Sequence, residues 1–209
     1  MRNERIRTIA EIGLATALAT ALTAIFTLLV PVKMPFGGTL SLNMLPIVLI
    51  ALRRGPVAGV ICGALVGFAD LMFDPYVLSI PQILLDYPIA YSLVGLAGLF
   101  ALGTSVDRQP GRPKKLILTT IAGTALGTLG RFAAALLSGV VFFAQYAPEA
   151  QNVWVYSAIY NLSYLLPNAL IVALCATFAA PIVFRVTQGS ASKPALSPGV
   201  GHRNRPLSD

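Results

Sequence analysis

Two ionisable side chains lie inside apolar segments of this sequence, where a charge is costly unless it is paired or binds something. Asp86 is surrounded in sequence by Leu, Ile, Tyr and Ala, and Arg131 by Ala, Leu and Gly. An ion within a membrane-spanning segment costs on the order of several kcal/mol. Asp86 could therefore pair with a cationic ligand, or act as an interfacial carboxylate or a structural salt bridge. Arg131 could contact a ligand or neutralise Asp86.

Aromatic side chains accompany an amide at the start of the last apolar segment. A belt of aromatics is expected at any membrane boundary, but Asn161 adds two donors and an acceptor. Aromatic faces stack on rings and attract cations. Together with Asp86, these groups predict a site for a cationic heterocycle: the rings stack on it, Asn161 contacts its edges and Asp86 balances its charge. The aromatic residues are Trp154, Tyr156, Tyr160 and Tyr164.

The helical face that carries Arg131 is predicted to form one wall of a pocket. Steps of three and four residues keep side chains on one face of a helix. On that spacing Arg131 shares its face with Ala135, Ser138, Phe142 and Tyr146.

The elements that hold these residues are predicted to be membrane helices. Only 11% of the 209 residues are charged and 56% are hydrophobic, with a mean hydropathy of +0.76, whereas soluble domains carry about 25% charged residues. A membrane-spanning helix needs about 20 apolar residues. We expect an all-α bundle of six transmembrane helices in one membrane domain, 1–188, followed by a disordered cytoplasmic tail, 189–209. The predicted helices are 9–30, 42–54, 56–73, 82–103, 116–145 and 153–187.

The basic residues predict the orientation of the bundle. Lys33 stands alone in the loops of one side, and all other loop Lys and Arg residues up to Lys193 fall on the other side. By the positive-inside rule both termini are cytoplasmic, and the aromatic and acidic residues lie towards the outer face. The net charge of +7 therefore indicates topology rather than nucleic-acid binding. The inward residues are Arg2, Arg5, Arg7, Arg53, Arg54, Arg108, Arg112, Lys114, Lys115, Arg185 and Lys193.

The sequence does not favour an enzyme. His202, the single histidine, is in the tail, and no Ser/His/Asp set or carboxylate pair is recognisable. Cys62 and Cys175 sit in separate apolar runs and are expected to be small buried side chains. We therefore expect no cofactor and no metal.

The small residues Ala15 and Ala19 on the first helix allow close approach of another helix. That helix could belong to this chain or to a partner subunit.

Several segments, taken in order, resemble the thiamine-specific substrate-binding (S) components of energy-coupling factor (ECF) transporters. The resemblance covers most of the six-helix region. It is carried by MPFGGTLSL at 34–42, MLPI at 44–47, Arg54-Gly55, PQILLDYPIA at 81–90, 138–148, Tyr156-Ser157 and Tyr160-Asn161.

The resemblance implies a protein of the prokaryotic plasma membrane that captures thiamine from outside and does no chemistry on it. Transport would require an ECF transmembrane scaffold subunit and two cytoplasmic ATPases, in keeping with the lack of a Walker-type phosphate loop in this sequence. Membrane lipid is the other expected contact. Ala15 and Ala19 resemble the scaffold-docking motif of the family.

The resemblance also implies which residues bind the ligand, and three positions depart from its pattern. Asp86 replaces a Glu, Ala135 replaces a His and Phe143 replaces a Trp. These changes keep open another small heterocycle, such as hydroxymethylpyrimidine or pyridoxine, as the ligand, and a non-transport assembly role remains a further alternative. The expected ligand-binding residues are Asp86, Tyr87, Tyr156, Asn161, Tyr76, Phe143, Arg131 and Phe36.

Overall fold

The computed structural model describes residues 2–29, 34–73, 75–102 and 113–191, and all regular elements within them are helices. The predicted all-helical fold is confirmed. Lys33, Arg108, Arg112, Lys193 and His202 lie outside the described residues, as does the tail from 192 onwards. The helices are α1 Arg2–Leu29, α2 Met44–Arg54, α3 Pro56–Asp70, a composite α4, α5 Pro113–Phe142 and α6 Val153–Ala191.

Helix α4 changes its winding along its length. It runs through Ile80–Leu84, a π-helical turn at Leu85–Ile89, Ala90–Val94, a 3-10 turn at Gly95–Gly98 and Leu99–Leu102. Pro88 lies inside the π turn. Proline has no N–H to donate and clashes with the preceding turn of an α-helix, and a wider turn accommodates it. Such π turns are frequent at functional sites.

Four described helices are long and apolar enough to cross a bilayer. These spans are Asn3–Leu29, Ile80–Ala101, Lys114–Phe142 and Val153–Phe184. Large apolar side chains such as Leu14, Leu129 and Leu170 are exposed on them, as expected of surfaces that face lipid. The described chain therefore has the architecture of a multi-pass membrane protein.

Helices α2 and α3 are shorter, at 11 and 15 residues. At 1.5 Å per residue, α2 is about 17 Å long, against a hydrocarbon core of about 30 Å. Helix α2 packs on α1, α3 and α6 and buries Met44, Ile47, Val48 and Leu52. It forms the centre of the bundle.

Three glycines bring α3 and α4 into close contact. Gly59, Gly63 and Gly67 recur every fourth residue, so they share one face of α3. A Cβ at Gly63 would collide with the backbone of Tyr91, and one at Gly67 would lie 2.6 Å from the carbonyl carbon of Tyr87. Small residues at such positions permit close helix packing in membranes. This contact sets the position of the two α4 tyrosines.

An ionic cluster joins α1 to α2. It lies at the end of the bundle that the positive-inside rule predicts to be cytoplasmic. Glu11 accepts hydrogen bonds from Arg53 at 3.0 and 3.1 Å and from Arg54 at 2.7 and 2.8 Å. Arg53 also donates to the carbonyl oxygen of Val183 in α6. Glu11 and Arg53 together thus connect three helices.

The packing of α1 and the length of α6 can be compared with two predictions from the sequence, which both stay predictions. Ala19 is fully buried and Ala15 is half-buried against the core, because this face of α1 packs on α2 and α3. Ala19 therefore makes a close helix contact within this chain, one of the two alternatives left open for the pair, and docking of a partner at Ala15 and Ala19 stays a prediction. Helix α6 continues to Ala191, three residues past the predicted end of the membrane domain. Cys62 is buried, Cys175 is half-buried and neither forms a disulfide.

Candidate ligand-binding site

A cavity of about 290 Å³ lies among α1, α3, α4, α5, α6, the loop 34–39, and Phe73, Pro75 and Tyr76 before α4. Its lining includes all eight residues expected to bind a ligand: Phe36, Tyr76, Asp86, Tyr87, Arg131, Phe143, Tyr156 and Asn161. The structure therefore brings together residues that are up to 125 positions apart in sequence (161 minus 36). Their role in binding stays a prediction.

Gln82 positions the acid of the cavity. Its Nε2 donates to Asp86 Oδ2 at 2.6 Å and to the carbonyl oxygen of Tyr76 at 3.1 Å. Its Oε1 accepts a hydrogen bond from the backbone N–H of Leu78 at 2.9 Å. The side chain is only 1% exposed. Gln82 thus fixes both the Asp86 carboxylate and the loop that precedes α4.

Three aromatic rings, Phe36, Tyr76 and Phe143, form one wall of the cavity, and Tyr146 packs against them without lining it. Phe36 stacks on Tyr146 with ring centroids 4.1 Å apart, and Tyr76 meets Phe36 edge-on at 6.2 Å and Phe143 at 5.7 Å. The hydroxyls of Tyr76 and Tyr146 are 2.9 Å apart. This hydrogen bond raises the pKa of the Tyr76 hydroxyl above its ordinary value.

Tyr160 holds the loop that carries Phe36. Its hydroxyl accepts a hydrogen bond from the backbone N–H of Phe36 and donates to the carbonyl oxygen of Gly37, each at 2.8 Å. Gly37 and Gly38 have φ of 92° and 96°, a region that favours glycine. Gly38 also lies against the ring of Tyr164. The GG pair therefore allows a tight turn that packs on α6.

Asn161 is already engaged within the protein. Its Nδ2 donates to the carbonyl oxygens of Ser157 at 2.9 Å and Ala135 at 3.2 Å, and its Oδ1 accepts from Tyr164 at 2.9 Å. Most of its hydrogen-bonding capacity is therefore used between α5 and α6. A direct contact with a ligand would rest on what remains at Oδ1.

The face of α5 that bears Arg131 lines the cavity only in part. Arg131, Ala135 and Ser138 reach it, whereas Phe142 and Tyr146 do not. The prediction of a longer face was wrong because α5 ends at Phe142 and a 3-10 turn, Ala144–Tyr146, redirects the chain. Phe143 lines the cavity instead.

Asp70, at the end of α3, is a second cavity acid that our sequence interpretation missed. Thr23 donates to its Oδ1 at 3.1 Å and Tyr91 to its Oδ2 at 2.8 Å. Asp70 lies within the predicted segment 56–73, so the rule that selected Asp86, an acid inside an apolar segment, could have found it.

Trp154 is one of the aromatic residues that the sequence predicts at the site. It is absent from the cavity lining and 52% exposed. Its position near the start of α6 matches an aromatic at a membrane boundary.

Comparison with known proteins identifies the family. The family model described as thiamine transporter protein (Thia_YuaJ) matches residues 9–186. The chain belongs to this family. It is 36% identical over 171 residues to the thiamine transporter ThiT of Bacillus subtilis, covering 80% of this chain and 88% of that protein. It is also 36% identical over 126 residues to ThiT of Lacticaseibacillus paracasei, covering 58% and 63% respectively.

A solved structure has the same fold. ThiT from Listeria monocytogenes superposes with a TM-score of 0.74 at 24% sequence identity, over 89% of this chain and 97% of that one. The family resemblance that the sequence motifs indicated is thus confirmed.

The chemistry available to this member of the thiamine transporter family is that of binding. Rings for stacking, an acid held by an amide, and an arginine converge on the cavity. Among the described residues, no three His, Cys, Asp or Glu side chains come together. The site can recognise a ring and its charge through contact, hydrogen bonding and electrostatics.

Proposed function

We propose that this chain is the substrate-binding component of a thiamine uptake transporter and that its cavity binds thiamine. The observation that carries the proposal is the placement of Asp86 in a cavity lined by aromatic rings. Thiamine contains a permanently cationic thiazolium ring and a flat aminopyrimidine. A buried carboxylate attracts the first, and aromatic faces stack on both.

Phe143, Phe36 and Tyr76 supply these faces. Phe143 provides a flat ring where the family resemblance implies a Trp, so stacking is retained over a smaller area. Ala135 offers no polar side chain where a His is implied, and Asp86 is one methylene shorter than Glu. We expect the cavity to accept thiamine with one fewer hydrogen bond to the pyrimidine.

The transporter context completes the proposal. We infer six membrane crossings, with α2 and α3 as the short pair, both termini in the cytoplasm and a location in the prokaryotic cell membrane. We further infer that an ECF scaffold subunit and two cytoplasmic ATPases supply the energy, since a binding cavity alone does not move a solute against a gradient. The cavity would open to the outside on the side of the loop 34–39 and of Phe73, Pro75 and Tyr76, which this orientation makes the outer side.

Calorimetric titration of purified protein in detergent or nanodiscs tests the proposal. We expect saturable thiamine binding, weakened by roughly 1–3 kcal/mol in Asp86→Asn, the scale of a hydrogen bond to a charged group. Glu4→Gln, an exposed acid at the other end of the bundle, is the matched control and should bind as wild type does. Unchanged affinity in Asp86→Asn would remove Asp86 as the counter-charge.

A competition binding experiment distinguishes thiamine from the other ligands that the change at Ala135 keeps open. Hydroxymethylpyrimidine and pyridoxine should each displace thiamine weakly, because neither carries the fixed positive charge that Asp86 attracts. A neutral heterocycle that binds more tightly than thiamine would overturn the proposed ligand. Lack of any saturable ligand would favour an assembly role.

A further inference from the structure

Two acids and one arginine line the cavity. Asp70, Asp86 and Arg131 are the charged residues among its described lining, so their formal charges sum to minus one. Burying an ion in a bundle within lipid is costly unless an opposite charge or hydrogen bonds compensate it. The pairing of these three groups therefore decides which charge is left for a ligand.

The hydrogen bonds around Asp70 suit an ionised carboxylate. The Nδ2 of Asn43 donates to the Thr23 hydroxyl at 3.1 Å and to the Tyr91 hydroxyl at 2.7 Å. Each hydroxyl then donates its own proton to Asp70, one to each oxygen. An ionised carboxylate only accepts hydrogen bonds, so Asp70 receives a donor on both sides.

Tyr91 connects Asp70 to Arg131. The guanidinium carbon of Arg131 lies 4.0 Å from the centroid of the Tyr91 ring, a cation–π contact. The hydroxyl of Tyr91, a residue that is 2% exposed, donates a hydrogen bond to Asp70. Arg131 and Asp70 therefore contact the same side chain, one at the ring face and the other at the hydroxyl. The buried Nη1 of Arg131 has no hydrogen-bond partner among the described residues, so its compensation includes this contact with Tyr91.

Asp86 has a different environment. Within the described part of the chain it accepts a hydrogen bond from the neutral amide of Gln82, and no arginine or lysine lies within ion-pair distance of it. Its negative charge is oriented by Gln82 but not cancelled.

We propose that Asp70, acting through Tyr91, is the counter-charge of Arg131, and that this pairing leaves Asp86 as the single uncompensated charge that selects a monocationic ligand. The proposal rests on the function proposed above for the same cavity. Asp70 is accordingly a positioning residue. Without Asp70, the positive charge of Arg131 would balance the negative charge of Asp86. The cavity would then be formally neutral and would lose its preference for a cationic ligand.

Charge-matched variants test this proposal. Thiamine and an analogue with an uncharged ring in place of the thiazolium are titrated against wild type, Asp70→Asn, Arg131→Gln and the double variant. Asp70→Asn makes the lining charge zero, and the double variant returns it to minus one with Asp86 unpaired. We expect the preference for thiamine over the neutral analogue to fall about tenfold or more in Asp70→Asn. It should return to within about threefold of wild type in the double variant.

Thr23→Val is the matched control, since it deletes one hydrogen bond to Asp70 without changing charge. Both ligands should weaken together and their ratio should stay constant. If Asp70→Asn fails to fold, Tyr91→Phe keeps the ring beneath Arg131 and deletes the hydroxyl that reaches Asp70, and the ratio should again fall. A ratio that is unchanged in Asp70→Asn or in Tyr91→Phe, or a double variant no better than Asp70→Asn, overturns the proposal.

Thermal unfolding without ligand separates this proposal from the proposed function. If wild type binds neither ligand, the function fails, but the pairing can still be measured. We then expect the double variant to lose less stability than the sum of the two single variants, because each single variant leaves one charge unpaired. Additive losses would overturn the Asp70–Arg131 pairing whether or not thiamine binds.

Discussion

The amide nitrogen of Gln82 lies 2.6 Å from Asp86 Oδ2, and the two residues are one helical turn apart on α4. Because the other contacts of Gln82 are the backbone of Tyr76 and Leu78, the carboxylate is coupled to the loop that closes one side of the cavity. A ligand that binds Asp86 should therefore also affect how firmly this loop is held.

Gln82→Leu should weaken thiamine binding by about 1–2 kcal/mol, the cost of losing hydrogen bonds to a charged group and to a buried backbone. Calorimetry gives the affinity. Ser79→Ala is the control, because it removes the N-cap that accepts from the Gln82 backbone and leaves the carboxylate contact in place. Equal losses in both variants would mean that helix capping, not orientation of Asp86, explains the effect.

Phe143 should respond to ring size. Phe143→Leu should cost about 0.5–1.5 kcal/mol of thiamine affinity beyond the loss of area, the usual contribution of an aromatic pair, whereas Phe143→Trp should retain or improve binding. Both affinities come from titration. Similar affinities for the Leu and Trp variants would show that Phe143 fills space without stacking.

Tyr160 should control how firmly the loop 34–39 is held. Tyr160→Phe deletes a hydroxyl that makes two backbone hydrogen bonds, each worth about 1 kcal/mol. We expect faster thiamine dissociation in stopped-flow measurements, with a smaller change in association. Tyr156→Phe is the comparison, since the Tyr156 ring lines the cavity but holds no loop. Slower association with unchanged dissociation in Tyr160→Phe would contradict a retaining role.

The helices and the site could be predicted from the sequence to different extents. Asp86 and Arg131 could be found because charge is rare in apolar segments, and the family motifs located the aromatic residues. Asp70 was missed although it lies in the predicted apolar segment 56–73, where the rule that found Asp86 also applies. The end of α5 at Phe142 depends on packing that helical periodicity does not contain. The buried state of Ala19 likewise depends on which face of α1 meets α2, which spacing alone leaves open.

Glu11 should matter for stability and not for the ligand. Replacing it with Gln removes the carboxylate that Arg53 and Arg54 share, and these side chains are only 8% and 16% exposed. Arg54 keeps its ion pair with Glu4 at 3.3 Å. We expect unfolding to become easier by about 2 kcal/mol, between the values for surface and buried ion pairs, and thiamine affinity to remain unchanged. Thermal unfolding in detergent measures the first. Loss of affinity at unchanged stability would contradict this structural role.

The glycine face of α3 should be intolerant of side chains. Gly63→Ala places a Cβ against the carbonyl of Tyr91, so α3 and α4 must separate and Tyr91 must move from beneath Arg131. We expect lower thermal stability together with weaker thiamine binding, because the same displacement shifts Tyr87 and Asp86.

Gly13→Ala on α1 is the matched control, since its Cβ would meet nothing within 4 Å and alanine favours a helix over glycine by about 1 kcal/mol. That variant should be as stable as wild type or more stable. Equal behaviour of the two alanine variants would show that the helix contact at Gly63 does not position the site.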